Sequence, residues 1–166
     1  MMPPMKAGRL TVRLADPLDV QDLVPRLRPW DLVECLALGR APATALMDPF
    51  VAGHGPTTFA LEQDGKLIAL AGLTPLLIGS GIWMLGSEEI DDCGLDFLRL
   101  GREWVHWAAR EHGPLQNVVP VQCTTTIRWL KWMGFDFDPS FMHFSGVRFV
   151  RFRMKATGRP EKRNGP

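Results

Sequence analysis

The stretch from Val118 to Phe135, with the sequence VVPVQCTTTIRWLKWMGF, constrains the fold more than any other part of the chain. It begins with a β-branched run that is typical of a buried strand. A polar segment then leads into a helical pattern in which Ile127, Leu130 and Met133 lie on one stripe. Gly134 follows at the position where a left-handed residue commonly ends a helix. The stretch therefore predicts a strand, a polar turn and a short helix.

Composition limits the class of protein. With 166 residues, 46% hydrophobic and 22% charged, the chain has the size and balance of one globular domain. Its net charge of +1 is too small to attract nucleic acid or an anionic membrane through the overall electrostatic field. The cysteines at 35, 93 and 123 form no CxxC pair, which argues against a disulfide framework or a structural zinc. No apolar run approaches the ~20 residues of a membrane span, and the N-terminus lacks a signal-peptide core. We therefore expect a cytoplasmic protein.

The pattern along the chain predicts the order β-αα-β-β-β-α-β-α-β-β. Asp64-Gly65 lies between two alternating runs and is suited to a type I′ hairpin turn. The longest amphipathic pattern covers residues 94–112. We expect a mixed α/β (α+β) fold with a mostly antiparallel sheet flanked by helices. A single domain, 9–155, is expected between an N-terminal tail, 1–8, and a basic C-terminal tail, 156–166.

This order, ending in the IRWLKWMGF segment, resembles the GNAT (N-acetyltransferase) fold. More narrowly, the chain is similar to acetyltransferase-like proteins of tailed bacteriophages, including internal virion or morphogenesis proteins of T7-like phages. The residues that carry this similarity are Arg28-Pro29-x-Asp31-x-x-Glu34, Asp64-Gly65, Trp83-x-Leu85-Gly86, Leu115-x-Asn117-x-Val119 and the segment from Ile127 to Phe135. The similarity spans roughly residues 9–138 and implies a GNAT-like fold for this region.

The resemblance implies an acetyl-CoA site whose phosphate-binding turn falls on residues 85–94. Active GNAT enzymes bind the pyrophosphate on backbone N–H groups of a glycine-rich turn at a helix N-terminus. Here the two glycines of the segment, Gly86 and Gly94, are separated by four carboxylates at positions 88, 89, 91 and 92. We expect these carboxylates to disfavour CoA by a few kcal/mol, at ~1 kcal/mol for each close like-charge pair.

Two further positions depart from the pattern of the active enzymes. The family places an asparagine for the pantetheine arm at the start of the later helix, and a tyrosine that acts as general acid within it. These positions fall on Cys123 and Leu130, and the chain contains no tyrosine. A leucine cannot protonate a leaving thiolate. We therefore expect no bound cofactor, or acetyl-CoA if the chain is an active enzyme.

The candidate site residues follow from the same resemblance. Glu88 and Glu89 come directly after the fourth predicted strand, where GNAT enzymes can place a general base, and are the catalytic candidates. The cofactor-binding candidates share a place on that strand, the following turn or the later helix: Met84, Leu85, Gly86, Ser87, Gly94 and Cys123. No histidine spacing predicts a metal site.

Large aromatic residues and a basic C-terminus indicate partners. The chain has six tryptophans and nine phenylalanines, and we expect Trp104 and Trp107, like Trp129 and Trp132, to divide between core and surface. Exposed tryptophan and arginine are typical anchors of protein interfaces. Contact of the basic C-terminus with nucleic acid is a weaker expectation.

These observations leave two main hypotheses. The first is a phage virion-associated structural or assembly protein with a GNAT fold and a degenerate acetyl-CoA site. It would bind other virion proteins through its tryptophan- and arginine-rich surfaces and its tails, first in the host cytoplasm and then in the virion. The second is an active GNAT N-acetyltransferase that transfers acetyl from acetyl-CoA to an amine.

Overall fold

A computed structural model describes residues 2–157, in which eight strands form one sheet flanked by five helices. The strands are β1 (Met5–Ala7), β2 (Leu10–Leu14), β3 (Thr58–Gln63), β4 (Lys66–Pro75), β5 (Ser80–Gly86), β6 (Leu115–Pro120), β7 (Asp136–Phe144) and β8 (Val147–Met154). The helices are α1 (Pro17–Leu23), α2 (Pro29–Ala37), α3 (Pro42–Val51), α4 (Gly94–His112) and α5 (Thr124–Met133). The strand order is β1-β2-β3-β4-β5-β6-β8-β7, and only the β5–β6 pair is parallel. The predicted mixed, mostly antiparallel sheet is confirmed.

Local sequence signals set the bounds of several elements. Asp16 accepts a hydrogen bond from the Leu18 N–H and, with Asp19, forms a capping box at the start of α1. Asp64 and Gly65 both have positive φ, as a type I′ turn requires, so the hairpin prediction is confirmed. Gly134 ends α5 in the left-handed conformation, also as predicted.

Alternation in the central strands divides the core between the two faces of the sheet. Phe59 and Ala69 pack in one cluster with Trp104 of α4, whereas Ala60 and Leu70 pack in the other with α1 and α3. The first cluster extends to α5 and the C-terminal strands through Met133, Phe135 and Phe152. Because the sheet is covered on both faces, its central strands are apolar on both sides.

The chain departs from the predicted elements at both ends. Residues 5–7, within the predicted N-terminal tail, form β1, because Met5 is buried in the α4 cluster and the strand pairs with β2. The sequence from Phe141 to Phe144 predicts a strand, but β7 begins earlier, at Asp136, and has an irregular register between Phe137 and Phe141. Residues 158–166 of the predicted basic tail lie outside the described residues.

The expected division of Trp104 and Trp107 is wrong. Both are buried, and both contact Phe59 edge-to-face with ring centroids 5.8 Å apart. Residues three apart in sequence share one helix face, so a single apolar face of α4 holds both rings. The other pair does divide, because Trp129 is half-buried and Trp132 is exposed.

No helix formed by residues 2–157 combines the length and apolar character needed to cross a membrane.

Candidate functional site

Strands β5 and β6 diverge soon after they begin, and this divergence opens the candidate site. They pair only at Ser80–Leu115 and Gly81–Gln116. One residue further along, the Asn117 side-chain amide donates to the Ile82 carbonyl at 2.6 Å. Beyond this bridge the two strands form no ladder, so a cleft separates them.

A cavity of about 680 Å³ occupies this cleft. Large apolar side chains from the sheet, α4 and α5 make up much of its wall: Trp83, Met84, Phe97, Trp104, Trp129 and Leu130. Polar groups enter from α2 and the residue before it, namely Arg28, Asp31 and Glu34. An apolar pocket with a few convergent polar groups is the common form of a small-molecule site.

The spacing of Arg28, Asp31 and Glu34 places all three on the cavity side of α2. The Arg28 guanidinium donates to both Asp31 carboxylate oxygens, at 3.0 and 3.1 Å, and to Asp91 at 3.0 Å. Arg28 and Asp31 are buried, and the guanidinium also lies 5.8 Å from the Trp129 ring centroid. Bidentate, desolvated pairing of this kind fixes both side chains firmly.

Arg28 and Asp31 also bind the edge of β5 that faces the cleft. The Gly86 N–H donates to Asp31 Oδ2 at 2.7 Å, and the Gly86 carbonyl accepts from the Arg28 backbone N–H at 2.8 Å. Leu27 and Ser87 form an antiparallel bridge beside them. In a strand, the backbone N–H and C=O groups of every second residue point to the same edge. Ile82 and Gly86 both form hydrogen bonds at the cleft edge of β5. The backbone groups of Met84, which lies between them, therefore also face the cleft.

The turn after β5 is bonded within the protein at several points. The Ser87 N–H and hydroxyl both donate to the Ile68 carbonyl, and Ser87 is buried. Residues Glu88–Asp92 form a 3-10 turn. Glu89 accepts from Lys66 at 2.6 Å, and this hydrogen bond, together with further hydrogen bonds to Ser87 and to the backbone, lowers the pKa of Glu89 to about 2. Such a carboxylate is a weak base at neutral pH.

The predicted site residues therefore divide into two groups. Met84, Leu85 and Cys123 line the cavity, whereas Gly86, Ser87, Glu88, Glu89 and Gly94 are not among its lining residues. Burial, together with the charges of Glu34 and Asp31, raises the pKa of the Cys123 thiol to about 11. The thiol is accordingly protonated at neutral pH and is not an activated nucleophile.

Glu34 lines the cavity and was not among the candidate site residues assigned from the sequence. Burial raises its pKa to about 8, and the neighbouring Asp31 charge adds to the increase. No hydrogen-bond or ion-pair partner for its carboxyl occurs among residues 2–157. A carboxyl group with a pKa near neutrality can both accept and donate a proton. The Arg28-x-x-Asp31-x-x-Glu34 spacing was the available signal.

Comparisons with known proteins identify the fold. No protein-family profile matches the sequence, and no curated protein matches it. Solved structures do match over nearly the whole chain. A GNAT-family acetyltransferase from Bacillus anthracis has a TM-score of 0.69 at 11% identity, covering 93% of this chain and 99% of its own. A ribosomal-protein-alanine N-acetyltransferase from Brucella melitensis has a TM-score of 0.65 at 15% identity, covering 87% and 98%.

A third similar structure was solved with its cofactor. The protein yncA from Salmonella typhimurium, in complex with acetyl-CoA, has a TM-score of 0.61 at 12% identity and covers 96% of this chain and 98% of its own. Identities this low establish architecture and leave the reaction open. The structural similarity therefore shows that the chain has the fold of the GNAT acetyltransferases.

Proposed function

We propose that this chain is a phage virion-associated structural or assembly protein that keeps the GNAT fold and has a degenerate acetyl-CoA site. One observation supports the proposed loss of the acetyl-CoA site. Both cleft-facing backbone groups of Gly86, on the strand that would orient a pantetheine arm, are bonded to Arg28 and Asp31. A cofactor that used the Gly86 end of this strand edge would have to replace two hydrogen bonds inside a buried ion-pair network, which is costly.

The charges of the turn support the same conclusion. Arg28 and Lys66 pair with Asp91 and Glu89, so these two cations beside the turn are already used. Glu88 and Asp92 project from the turn and are exposed. A pyrophosphate placed there would meet carboxylates at ~1 kcal/mol or more for each close pair. The turn therefore repels the anion that it would have to bind.

Proton transfer also lacks its usual donor. Leu130, at the position of the family's tyrosine, lines the cavity with an aliphatic side chain. The neighbouring Cys123 thiol, with its raised pKa, is not a strong acid in its place. The cavity thus keeps the shape of a cofactor site without the groups expected to perform the transfer.

Exposed aromatic residues paired with arginine supply the contact surfaces that an assembly protein needs. The Arg102 guanidinium lies 5.2 Å from the Trp132 ring centroid, and Arg148 lies 5.2 Å from Phe141. Trp132 and Phe141 are exposed. Aromatic and arginine side chains are enriched among residues that dominate binding energy at interfaces. Contact of the basic C-terminus with nucleic acid stays a prediction, because most of that tail lies outside the described residues.

Recovery of the protein from purified particles tests this proposal. We expect the chain to be present at a fixed stoichiometry in virions or assembly intermediates, measured by quantitative mass spectrometry. Trp132→Ala and Phe141→Ala are expected to lower this recovery, and Leu95→Ala serves as a matched change of another exposed apolar residue. Absence of the chain from both kinds of particle would contradict the assembly role.

An active N-acetyltransferase is the second candidate, and Glu34 is the observation that favours it. Its carboxyl faces the cavity, has no partner among the described residues, and has a pKa of about 8. Glu34 would then take the proton from the acceptor amine, in place of Glu88 or Glu89. The test is release of free CoA from acetyl-CoA with a panel of primary amines. Turnover abolished by Glu34→Gln and retained in Glu88→Gln and Glu89→Gln would establish this alternative.

A further inference from the structure

Helices α4 and α5 pack side by side, so their exposed residues form one continuous surface. The Phe97 and Trp129 rings meet edge-to-face with centroids 4.7 Å apart. A Cβ on Gly101 would lie only 2.4 Å from the Met133 methyl carbon, which shows how closely the helices approach. The His106 Nε2–H also donates to the Met133 carbonyl at 3.2 Å. These contacts fix the outer faces of the two helices relative to each other.

Four cations and one aromatic ring are exposed on this surface. We call them the α4–α5 patch: Arg99, Arg102, Arg128, Lys131 and Trp132. None of the four cations forms an ion pair with a residue in the described range 2–157. The Arg102 guanidinium instead lies over the Trp132 ring, and the Lys131 ammonium lies 5.6 Å from the Phe137 ring centroid. The patch is therefore positive, with an aromatic ring between its cations.

Folding does not account for this arrangement. Arg99 and Arg102 are three residues apart on α4, as Arg128 and Lys131 are on α5, and like charges at this spacing destabilise a helix slightly. No acidic residue occurs within α5 to offset them. Trp132 keeps 44% of its surface exposed although Arg102 lies over it. A ligand that neutralised the cations and covered the ring would remove both costs.

Acidic side chains close to the patch point away from it. Gly101 faces α5, and each residue turns a helix by about 100°, so Glu103 lies about 200° round α4, on the side away from α5. Asp136 follows α5 and is exposed without a partner in the described chain. Its neighbour Phe137 contacts Lys131, and successive strand residues point to opposite faces, so Asp136 points to the other face of the sheet.

The other acids of this region lie at the margins of the two helices. Asp96 lies against Gly8, in the turn between β1 and β2. Glu88 and Asp92 are exposed in the turn that precedes α4, and Glu111 pairs with Arg110 at the opposite end of that helix. The positive charge of the patch is therefore local, although the whole chain carries only +1.

We propose that the α4–α5 patch binds single-stranded nucleic acid, with phosphates on its four cations and a base stacked on Trp132. Proteins bind single strands by combining cations that follow the backbone with aromatic rings on which bases stack. A duplex offers the phosphates but keeps its base faces covered. An acidic protein segment would pair with the cations but has no planar base for the ring. Single-stranded nucleic acid is therefore the ligand that uses every group of the patch.

This inference goes beyond the proposed assembly role and does not depend on it. The patch is separate from the β5–β6 cleft and from residues 158–166. Recovery of the chain from particles and binding of an oligonucleotide by the purified protein are independent measurements. Either result can therefore fail without deciding the other.

Fluorescence anisotropy with the full chain tests the proposal. The probes are a labelled single-stranded DNA oligonucleotide of about twelve nucleotides and the duplex of the same sequence. We expect a dissociation constant on the order of 10 µM for the single strand at low salt, and about fivefold weaker binding of the duplex. Contacts from all four cations predict a slope of about −3 for log affinity against log salt concentration.

Trp132→Ala separates stacking from charge. We expect it to lower the affinity for the single strand about tenfold and to leave the salt slope unchanged, because it removes the ring and no charge. Trp30→Ala is the matched control, since Trp30 is 42% exposed and lies on α2, and it is expected to leave the affinity unchanged.

The charges are tested by the salt slope. Arg128→Gln combined with Lys131→Gln is expected to reduce the slope to about −1.5, since two phosphate contacts are lost. Arg151→Gln is the control. Arg151 is an exposed cation next to the buried Phe152 on β8, so it points to the opposite face of the sheet, and its loss is expected to leave the slope unchanged.

Several results would overturn the proposal. They are a dissociation constant weaker than about 1 mM, a duplex bound as tightly as the single strand, or equal losses for Trp132→Ala and Trp30→Ala. Binding that disappears when residues 158–166 are removed, but is unaffected by the patch variants, would assign the activity to the C-terminus instead. Competition by polyglutamate as strong as by unlabelled oligonucleotide would assign the patch to an acidic protein partner.

Discussion

Asp31 is the single residue that most clearly connects stability with function. Its carboxylate accepts two hydrogen bonds from Arg28 and a third from the Gly86 N–H. These bonds satisfy a buried charge and also occupy the Gly86 end of the β5 edge that faces the cleft. Under the proposed function, the bonds that stabilise this part of the fold are also the ones that hinder a cofactor at Gly86.

Replacing Asp31 by asparagine is expected to destabilise the fold by about 3 kcal/mol, because it leaves the buried Arg28 charge without its main partner. The measurement is urea-induced unfolding. Asp22→Asn is the matched control, since Asp22 pairs with Arg26 on the surface at 3.1 Å and its loss is expected to cost less than about 0.5 kcal/mol. Equal costs for the two variants would show that the Arg28–Asp31 pair does not stabilise the fold.

Glu34 is expected to make stability depend on pH. Its pKa is about 8 in the folded chain and 4.5 ordinarily, so between these values the folded state keeps a proton that the unfolded state has lost. The free energy of unfolding therefore falls as pH rises through this range, at up to about 1.4 kcal/mol per pH unit.

Glu34→Gln removes this titration. Relative to wild type, we expect the free energy of unfolding of the variant to rise by roughly 3.5 kcal/mol between about pH 5 and about pH 8. Urea unfolding at both values is the measurement, and Glu88→Gln, a change at an exposed carboxyl, is the control. A constant difference between wild type and Glu34→Gln would contradict the placement of Glu34 against the cavity.

At the scale of elements, the β5–β6 divergence and the start of α2 together define the cleft. Elements with a strong local pattern could be predicted from the sequence. The Asp64-Gly65 turn, the apolar face of α4 and the Gly134 helix end each depend on neighbouring residues. The hydrogen bond between Arg28 and Gly86 joins positions that are far apart in the chain, and the local hydrophobic periodicity cannot predict such a contact.

The Asn117 bridge offers an element-scale prediction. Its amide donates to the Ile82 carbonyl and its carbonyl oxygen accepts from the Val118 N–H, so it holds the two strands where their ladder ends. Asn117→Ala is expected to cost about 1 kcal/mol and to speed hydrogen exchange of the Val118 amide. Gln116→Ala, one residue earlier, is the control. An unchanged exchange rate at Val118 would show that the bridge is not formed in solution.

At the scale of the whole molecule, the fold could be predicted but the site only in part. The order of elements was sufficient for the fold, because the mixed sheet follows from periodicity and turn residues. Glu34 was missed as a site residue because its burial depends on α2 packing over the cleft. Trp107 was misplaced because the width of the apolar face of α4 was underestimated. In both cases, packing between residues that are far apart in the chain determines whether the side chain is buried.

The structural similarities are compatible with the proposed loss of the acetyl-CoA site. Structures with 11–15% identity cover nearly the whole chain, so the architecture tolerates almost complete replacement of side chains. Catalytic and binding groups change independently of the architecture that carries them. The central claim is that in this chain the cleft has been kept while its acetyl-CoA contacts have been replaced by internal bonds.

Calorimetric titration of acetyl-CoA into the purified full-length protein tests this claim most directly. The account predicts no binding tighter than about 1 mM, while an acetyltransferase that binds acetyl-CoA gives a clear signal under the same conditions. Micromolar affinity that is weakened by Gly86→Asp or Gly94→Asp would contradict it, because it would show that the strand edge and the turn still bind the cofactor.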